Sequence, residues 1–201
     1  MVCALAGSTA ARANDGPVWA AGLDFTTGYG GTLDDLHFGL RLELGGFFRR
    51  GDWQATLSLP FSFTTSDAIE RDGHRIDDVG VGVRVGYHRM VTEHIAGTAA
   101  LGLERQWLSG SELVTRECQV THTCIAGFYT ETASYRTWVP ELRLGAGIEQ
   151  RTPTLVFAGT LELIVEYMRV AVPGRELTGV VVLGGITATI GGGASRSSAY
   201  R

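Results

Sequence analysis

The sequence predicts an all-β chain whose eight antiparallel strands close into an up-and-down transmembrane β-barrel. Three observations predict this fold. Apolar residues recur at every second position in eight segments, and two is the period of a β-strand. The connections between segments alternate between tight and longer. The polar face of the segments carries mostly small residues, which a narrow barrel interior can accommodate.

The predicted strands are 18–30, 36–48, 53–65, 78–89, 95–107, 138–149, 154–168 and 178–190. The second segment shows the alternation most clearly. Leu40, Leu42 and Leu44 fall on one face, whereas Arg41 and Glu43 fall on the other. The third, fourth, sixth and seventh segments repeat this pattern, and the first, fifth and eighth follow it more weakly. Strands of this length match what a tilted strand needs to cross a bilayer.

The connections predict the topology. Three are tight, near 49–52, 91–93 and 151–153, and the other four lie near 31–35, 66–77, 108–137 and 169–177. Tight turns therefore collect at one end of the barrel, together with both chain termini. Pro60 and Pro140 fall inside predicted strands, where proline removes a ladder hydrogen bond, so we expect a β-bulge at each.

The polar face decides which side of the barrel faces inward. A soluble barrel of the lipocalin kind, binding an apolar ligand inside, is the alternative, but its surface would carry many long charged residues. Here the polar face is mostly Gly, Ala, Ser and Thr, and the apolar face is nearly free of charge, as lipid requires. Arg105 is the main exception. It lies near the outer end of the fifth strand, where a long side chain can reach the head groups.

Aromatic residues sort to the two ends of the predicted strands. Trp19, Trp53 and Tyr87 lie near the tight turns, and a second group lies near the longer loops, namely Tyr29, Trp107, Trp138 and Tyr167. Two aromatic girdles are typical of the two interfaces of a membrane barrel.

Charged residues on the inward face lie at similar depth when counted from the tight turns. They are Asp24, Arg41, Glu43, Arg84, Glu141, Arg143 and Glu162. Buried charges are costly unless they are paired, so we expect a salt-bridge network that fills the lumen. A gated proton or ion path is the alternative, because charges inside a membrane often mark such routes. An open diffusion pore does not fit within eight strands.

The termini and the cysteines point to export. Residues 1–15 resemble a truncated secretory signal that ends in Ala11-Arg12-Ala13, followed by the barrel at 16–193 and a tail at 194–201. Cys118 and Cys124 flank five residues of the longest loop, and an exported compartment favours a disulfide between them. A metal site that adds His122 lacks a fourth ligand and is the weaker alternative.

Composition excludes several functional classes. The net charge of −4 gives no general nucleic-acid footprint, and no apolar run reaches the length of a transmembrane helix. None of the five histidines has an obvious serine partner, so no catalytic triad is predicted. We expect no cofactor and no bound metal.

By its architecture, the predicted mature chain resembles the small eight-stranded outer-membrane β-barrels, the class of the OmpA transmembrane domain and OmpX. The resemblance implies a monomer in the bacterial outer membrane with a structural or surface-interaction role. Outer-membrane lipid and lipopolysaccharide are the expected partners. The segment 108–137 either contacts a further partner at the surface or is simply solvated. A lipid A deacylase or acyltransferase is the alternative in the enzyme class, since some such barrels modify lipid A.

Overall fold

A computed structural model describes residues 17–34, 36–66, 75–115, 128–152, 154–172 and 175–195. The predicted signal segment, both loop cysteines and the end of the predicted tail lie outside these residues. Within them, no helix is long and apolar enough to cross a membrane. The strands are β1 Pro17–Asp34, β2 Leu36–Arg50, β3 Trp53–Ser66, β4 Arg75–Met90, β5 Ile95–Thr115, β6 Phe128–Arg151, β7 Leu155–Val172 and β8 Arg175–Ser195.

The strands form one closed barrel in sequence order, and every neighbouring pair is antiparallel. Closure comes from β1 and β8, which pair from Pro17 with Ser195 to Asp34 with Gly179. The predicted eight-stranded up-and-down barrel is therefore confirmed. Closure removes both sheet edges, so each strand has a neighbour on either side.

The tight turns match the sequence pattern. Gly51 and Asp52 alone connect β2 to β3, and Gly51 has a φ of 60°, a left-handed conformation that glycine adopts without strain. At the opposite end the strands run further than predicted. The pairing of β5 with β6 continues to Thr115 opposite Phe128, so much of the predicted loop 108–137 is a β-hairpin.

The expected bulges at the two prolines are wrong. Pro60 pairs with Glu43 in the continuous register of β2 and β3, and Pro140 pairs with Leu103 in the continuous register of β5 and β6. On its other side, β3 skips pairing with β4 at Leu59 and Pro60, then resumes in the same register. The absent N–H of Pro60 is therefore accommodated by a short interruption of the β3–β4 ladder. No extra residue is inserted, as a β-bulge would require.

Alternation along each strand divides the side chains into two environments. In β2, Arg41 and Glu43 are buried inside, whereas Leu40, Leu42 and Leu44 are exposed outside. The outer surface is strongly apolar, and some of its side chains are about two-thirds exposed, including Leu101, Ile148 and Leu161. This is the inverse of a soluble barrel, whose apolar rows line the interior.

Candidate functional site in the barrel interior

Three arginines from alternate strands meet inside the barrel. Arg41 on β2, Arg84 on β4 and Arg143 on β6 occupy inward positions and are almost fully buried. Together with Glu43, Glu104, Glu141, Glu162 and Glu166 they form what we call the central charge cluster.

Arg41 is the hub of this cluster. Its Nε and Nη2 donate to Glu43 Oε2 at 3.1 and 2.9 Å, and Nη2 lies 3.3 Å from Glu141 Oε2. The same guanidinium also contacts Glu104 and Glu166. One side chain thus binds four carboxylates, from β2, β5, β6 and β7, and ties together strands on different sides of the barrel.

Arg143 and Arg84 complete the pairing. Arg143 contacts Glu43, and it lies 2.8 Å from Glu141 Oε2 through Nη2 and 3.4 Å from Glu162 Oε2 through Nη1. Arg84 contacts Glu43, and its Nη1 lies 3.7 Å from Glu141 Oε1. Glu43 and Glu141 therefore each touch all three arginines.

The cluster also contains two carboxylates that were absent from the predicted set. Glu104 and Glu166 contact Arg41, and both occupy inward positions of their strands. The alternation of β7 already placed Glu166 on the polar face, but Glu104 lies in a strand with weaker alternation. Asp24, which the sequence grouped with the others, is buried and accepts a hydrogen bond from Thr189 Oγ1 at 2.7 Å.

Small residues make room for the cluster. A Cβ atom on Gly102 would lie 2.7 Å from Arg84 Cγ and 2.9 Å from Glu141 Oε1. A Cβ atom on Gly82 would lie 2.8 Å from Glu104 Cγ. The glycines on the polar face of β4 and β5 thus leave the volume that the long charged side chains fill.

Three carboxylates of the cluster lie as close together as the ligands of a bound cation. Glu43, Glu104 and Glu141 each offer an oxygen, and these oxygens lie within 4.8 Å of one another. Arg41 contacts all three, so its guanidinium already supplies the positive charge that a bound cation would bring to these carboxylates.

A second ionic group lies nearer the tight turns, and the sequence analysis did not find it. Glu149 Oε2 is 3.0 Å from Arg49 Nη1 and 2.8 Å from His88 Nε2, and its other oxygen contacts Arg151. Arg49 also donates to Gln54 Oε1 at 3.0 and 2.9 Å. Arg49 and Arg151 fall in predicted tight turns, and only the inward parity of His88 and Glu149 was visible in the sequence. The meeting of three strands around one carboxylate was not.

A small polar cavity separates the two ionic groups. Its volume is about 60 Å³, and its lining includes Thr26, Thr56, Arg84, His88, Thr98, Arg143, Glu162 and Thr187. A volume of this size accommodates a few water molecules, and the hydroxyl and charged groups supply their hydrogen-bond partners.

An apolar layer on the β5–β8 side of the lumen extends from the level of the central charge cluster toward the loops. Leu108 lies beyond Glu104 on β5, Val139 lies beyond Glu141 on β6, and Met168 completes this side of the layer from β7. The remaining members are Ile164, Val181 and Leu183. All six side chains are at most 2% exposed. On the β5–β8 side, the described interior therefore changes from polar toward the tight turns to apolar toward the loops.

The described histidines do not form a catalytic group with a serine. His88 is buried and bonded to Glu149, and His94 lies in the exposed turn between β4 and β5. The side chains of the other three histidines lie outside the described part of the structure.

The predicted girdle residues all lie on the outer surface. Trp19, Trp53 and Tyr87 are exposed near the tight turns, and the rings of Trp53 and Tyr87 pack edge to face at 5.8 Å. The loop-side residues are exposed as well, namely Tyr29, Trp107, Trp138 and Tyr167. An aliphatic band lies between the two groups.

No protein-family model and no curated protein matches the sequence. Solved structures do resemble the fold. Neisserial surface protein A aligns with a TM-score of 0.50 at 10% identity, over 87% of this chain and 96% of that protein. A major outer membrane protein of Thermus thermophilus aligns at 0.44 and 16% identity, over 85% and 98%. The attachment invasion locus protein Ail of Yersinia pestis aligns at 0.41 and 13%, over 87% and 95%.

The chain has the fold of the small eight-stranded outer-membrane β-barrels. Its apolar outer surface and charged interior are the reverse of a soluble protein and match those of membrane-spanning β-barrels.

Proposed function

We propose that the protein is a non-conducting barrel of the bacterial outer membrane that anchors surface-exposed strands and loops and strengthens the envelope. The observation that carries this proposal is the inverted polarity of the barrel, with leucine, valine and phenylalanine outside and paired arginine and glutamate inside. Charged residues on the lipid face of such a barrel cost several kcal/mol, roughly 2–4 at the midplane, so this distribution favours lipid over water as the solvent.

The contents of the lumen support the absence of steady conductance. An ion crossing the barrel would have to pass the central charge cluster, where Arg41 already binds four carboxylates and the apolar layer packs on the β5–β8 side. Eight strands enclose just enough volume for their own side chains. The polar cavity lies on the tight-turn side of these barriers and does not bypass them.

The surface role rests on the β5–β6 hairpin. Its pairing continues eight residues past Trp107 on β5 and ten residues past Trp138 on β6. In an outer-membrane barrel the longer connections face the cell exterior. The hairpin therefore projects beyond the outer girdle, and we assign any contact with another molecule at the cell surface to this hairpin.

Fractionation and conductance measurements test the proposal together. The full chain, expressed in a Gram-negative host, should require detergent for extraction from the outer membrane and should change gel mobility on heating. Purified protein in planar bilayers should show no steady single-channel current. Release into the soluble periplasmic fraction without detergent would refute the membrane assignment, and stable channels would refute the sealed lumen.

A further inference from the structure

The ladder between β6 and β7 ends before the loop end of the barrel. Their ladder ends with the pair Glu141 and Glu166, whereas β6 continues to pair with β5 and β7 continues to pair with β8. The first residue of β6 beyond the last pair is Pro140, which has no backbone N–H to donate. A gap in the backbone pairing of these two strands, which we call the cleft, therefore begins just below the outer aromatic girdle.

Three arginines face outward around this cleft. Arg136 and Arg169 are exposed, and Arg105 is half-buried with its guanidinium carbon 5.0 Å from the centre of the Trp138 ring. Apart from residues at the tight-turn end, these three are the charged residues that face outward among the described side chains. The exposed charges at the tight-turn end are of mixed sign, namely Arg50, Asp52, Arg89 and Glu93.

The strand register brings the arginines and aromatics to one level. Arg105 on β5 is the Cα partner of Trp138 on β6, and Arg136 is the partner of Trp107. Trp138 lies three residues past the end of the β6–β7 ladder, and Arg169 lies three residues past it on β7. The arginines therefore lie on both sides of the cleft, at the depth where aromatic side chains meet lipid head groups.

We propose that Arg105, Arg136 and Arg169 bind the phosphate groups of an anionic lipid of the outer leaflet, with lipopolysaccharide as the lipid. The proposal rests on the membrane location proposed above. Guanidinium groups bind phosphate oxygens in a bidentate geometry, which a lysine ammonium cannot match. Charge complementarity selects an anion, and the flanking aromatic side chains place that anion at the interface, where the phosphates of the lipid lie.

Packing on Trp138 gives Arg105 a defined position, because the cation–π contact holds the guanidinium near the cleft. On the same outward face and two residues closer to the tight turns, Leu103 lies next to Arg105 on β5, and Pro140 lies next to Trp138 on β6. Both residues are apolar. Acyl chains can therefore pack below the arginines while the phosphates contact them.

The test compares a triple variant with a matched control. The variant is R105Q/R136Q/R169Q, and the control R50Q/R89Q removes two exposed arginines at the tight-turn end. Both are purified as full chains, and heat-modifiable mobility verifies that each barrel is folded. Binding of lipopolysaccharide, of dephosphorylated lipid A and of inorganic phosphate is measured in zwitterionic detergent with EDTA present, so that bridging cations are removed.

We expect lipopolysaccharide to bind the parent and the control equally, and the triple variant about a hundredfold more weakly, since each basic residue near an anionic surface changes affinity roughly fivefold. The single variant R136Q should lose about fivefold. Equal binding of dephosphorylated lipid A, unchanged binding by the triple variant, or an equal loss in the control would overturn the site. Competition by millimolar inorganic phosphate alone would overturn the lipid as the ligand. A folded, detergent-dependent barrel that fails to bind would refute the lipid site and leave the membrane proposal intact.

Discussion

The tight-turn half and the loop half of the lumen are filled by different chemistry. Toward the tight turns, ionic groups surround a polar cavity of about 60 Å³. On the β5–β8 side, from the charge cluster toward the loops, six apolar side chains pack with at most 2% exposure. Truncation in the polar half leaves space that water can enter, whereas truncation in the apolar half leaves a void that stays empty. The same loss of side-chain volume should therefore cost more near the loops than near the turns.

The largest effect is expected at the boundary between the halves. Arg41→Met should remove the cation that binds four buried carboxylates and lower the free energy of unfolding by roughly 3–5 kcal/mol, because uncompensated buried charge is costly. Urea unfolding in lipid vesicles measures this. Arg50→Met, at an exposed turn position, is the control and should change little. Equal stability of the two variants would contradict the network.

The next effect concerns the apolar half. Leu183→Ala should cost about 2–5 kcal/mol, as expected for a fully buried leucine whose cavity cannot refill. Leu161→Ala on the lipid face is the control, since lipid chains can occupy the space that its side chain leaves. Unfolding midpoints of the two variants provide the measurement. An equal or larger loss at Leu161 would mean that the apolar layer contributes little.

A smaller effect is expected from added volume in the charge cluster. Gly102→Ala should cost about 1–3 kcal/mol, because its Cβ atom would meet Arg84 and Glu141 inside ordinary contact distance. Gly46→Ala is the control, because the nearest atom to its new Cβ is Gly22 O at 3.9 Å, an ordinary contact. The heating temperature at which gel mobility changes compares the two. A variant Gly102→Ala that matches its control would show that Arg84 relaxes freely.

The smallest effect is expected in the polar half. His88→Ala removes the 2.8 Å contact with Glu149, but Arg49 and Arg151 still contact that carboxylate and water can take the vacated place. The expected cost is about 1 kcal/mol, the usual net contribution of one hydrogen bond. His94→Ala in the exposed turn serves as control. If unfolding in urea showed His88→Ala to be as damaging as Leu183→Ala, the contrast between the two halves would be lost.

The sequence predicts which side chains face inward more readily than it predicts which of them contact each other. Arg41 and Glu43 could be assigned inward from the alternation of β2 alone. Grouping Arg84 and Arg143 with them required only a count from the tight turns. Glu104 was missed because the alternation of β5 is weak, and the group around Glu149 was missed because Arg49 and Arg151 fall in predicted tight turns.

The sequence by itself determined the strand count, the alternation of inward and outward residues and the end at which the tight turns lie. A period of two, repeated eight times, expresses these features locally. Only the tertiary structure decided which charges pair, where the apolar layer packs, and that the β6–β7 ladder ends at Glu141 and Glu166. Those features depend on the register between strands, which sets contacts between residues far apart in the chain.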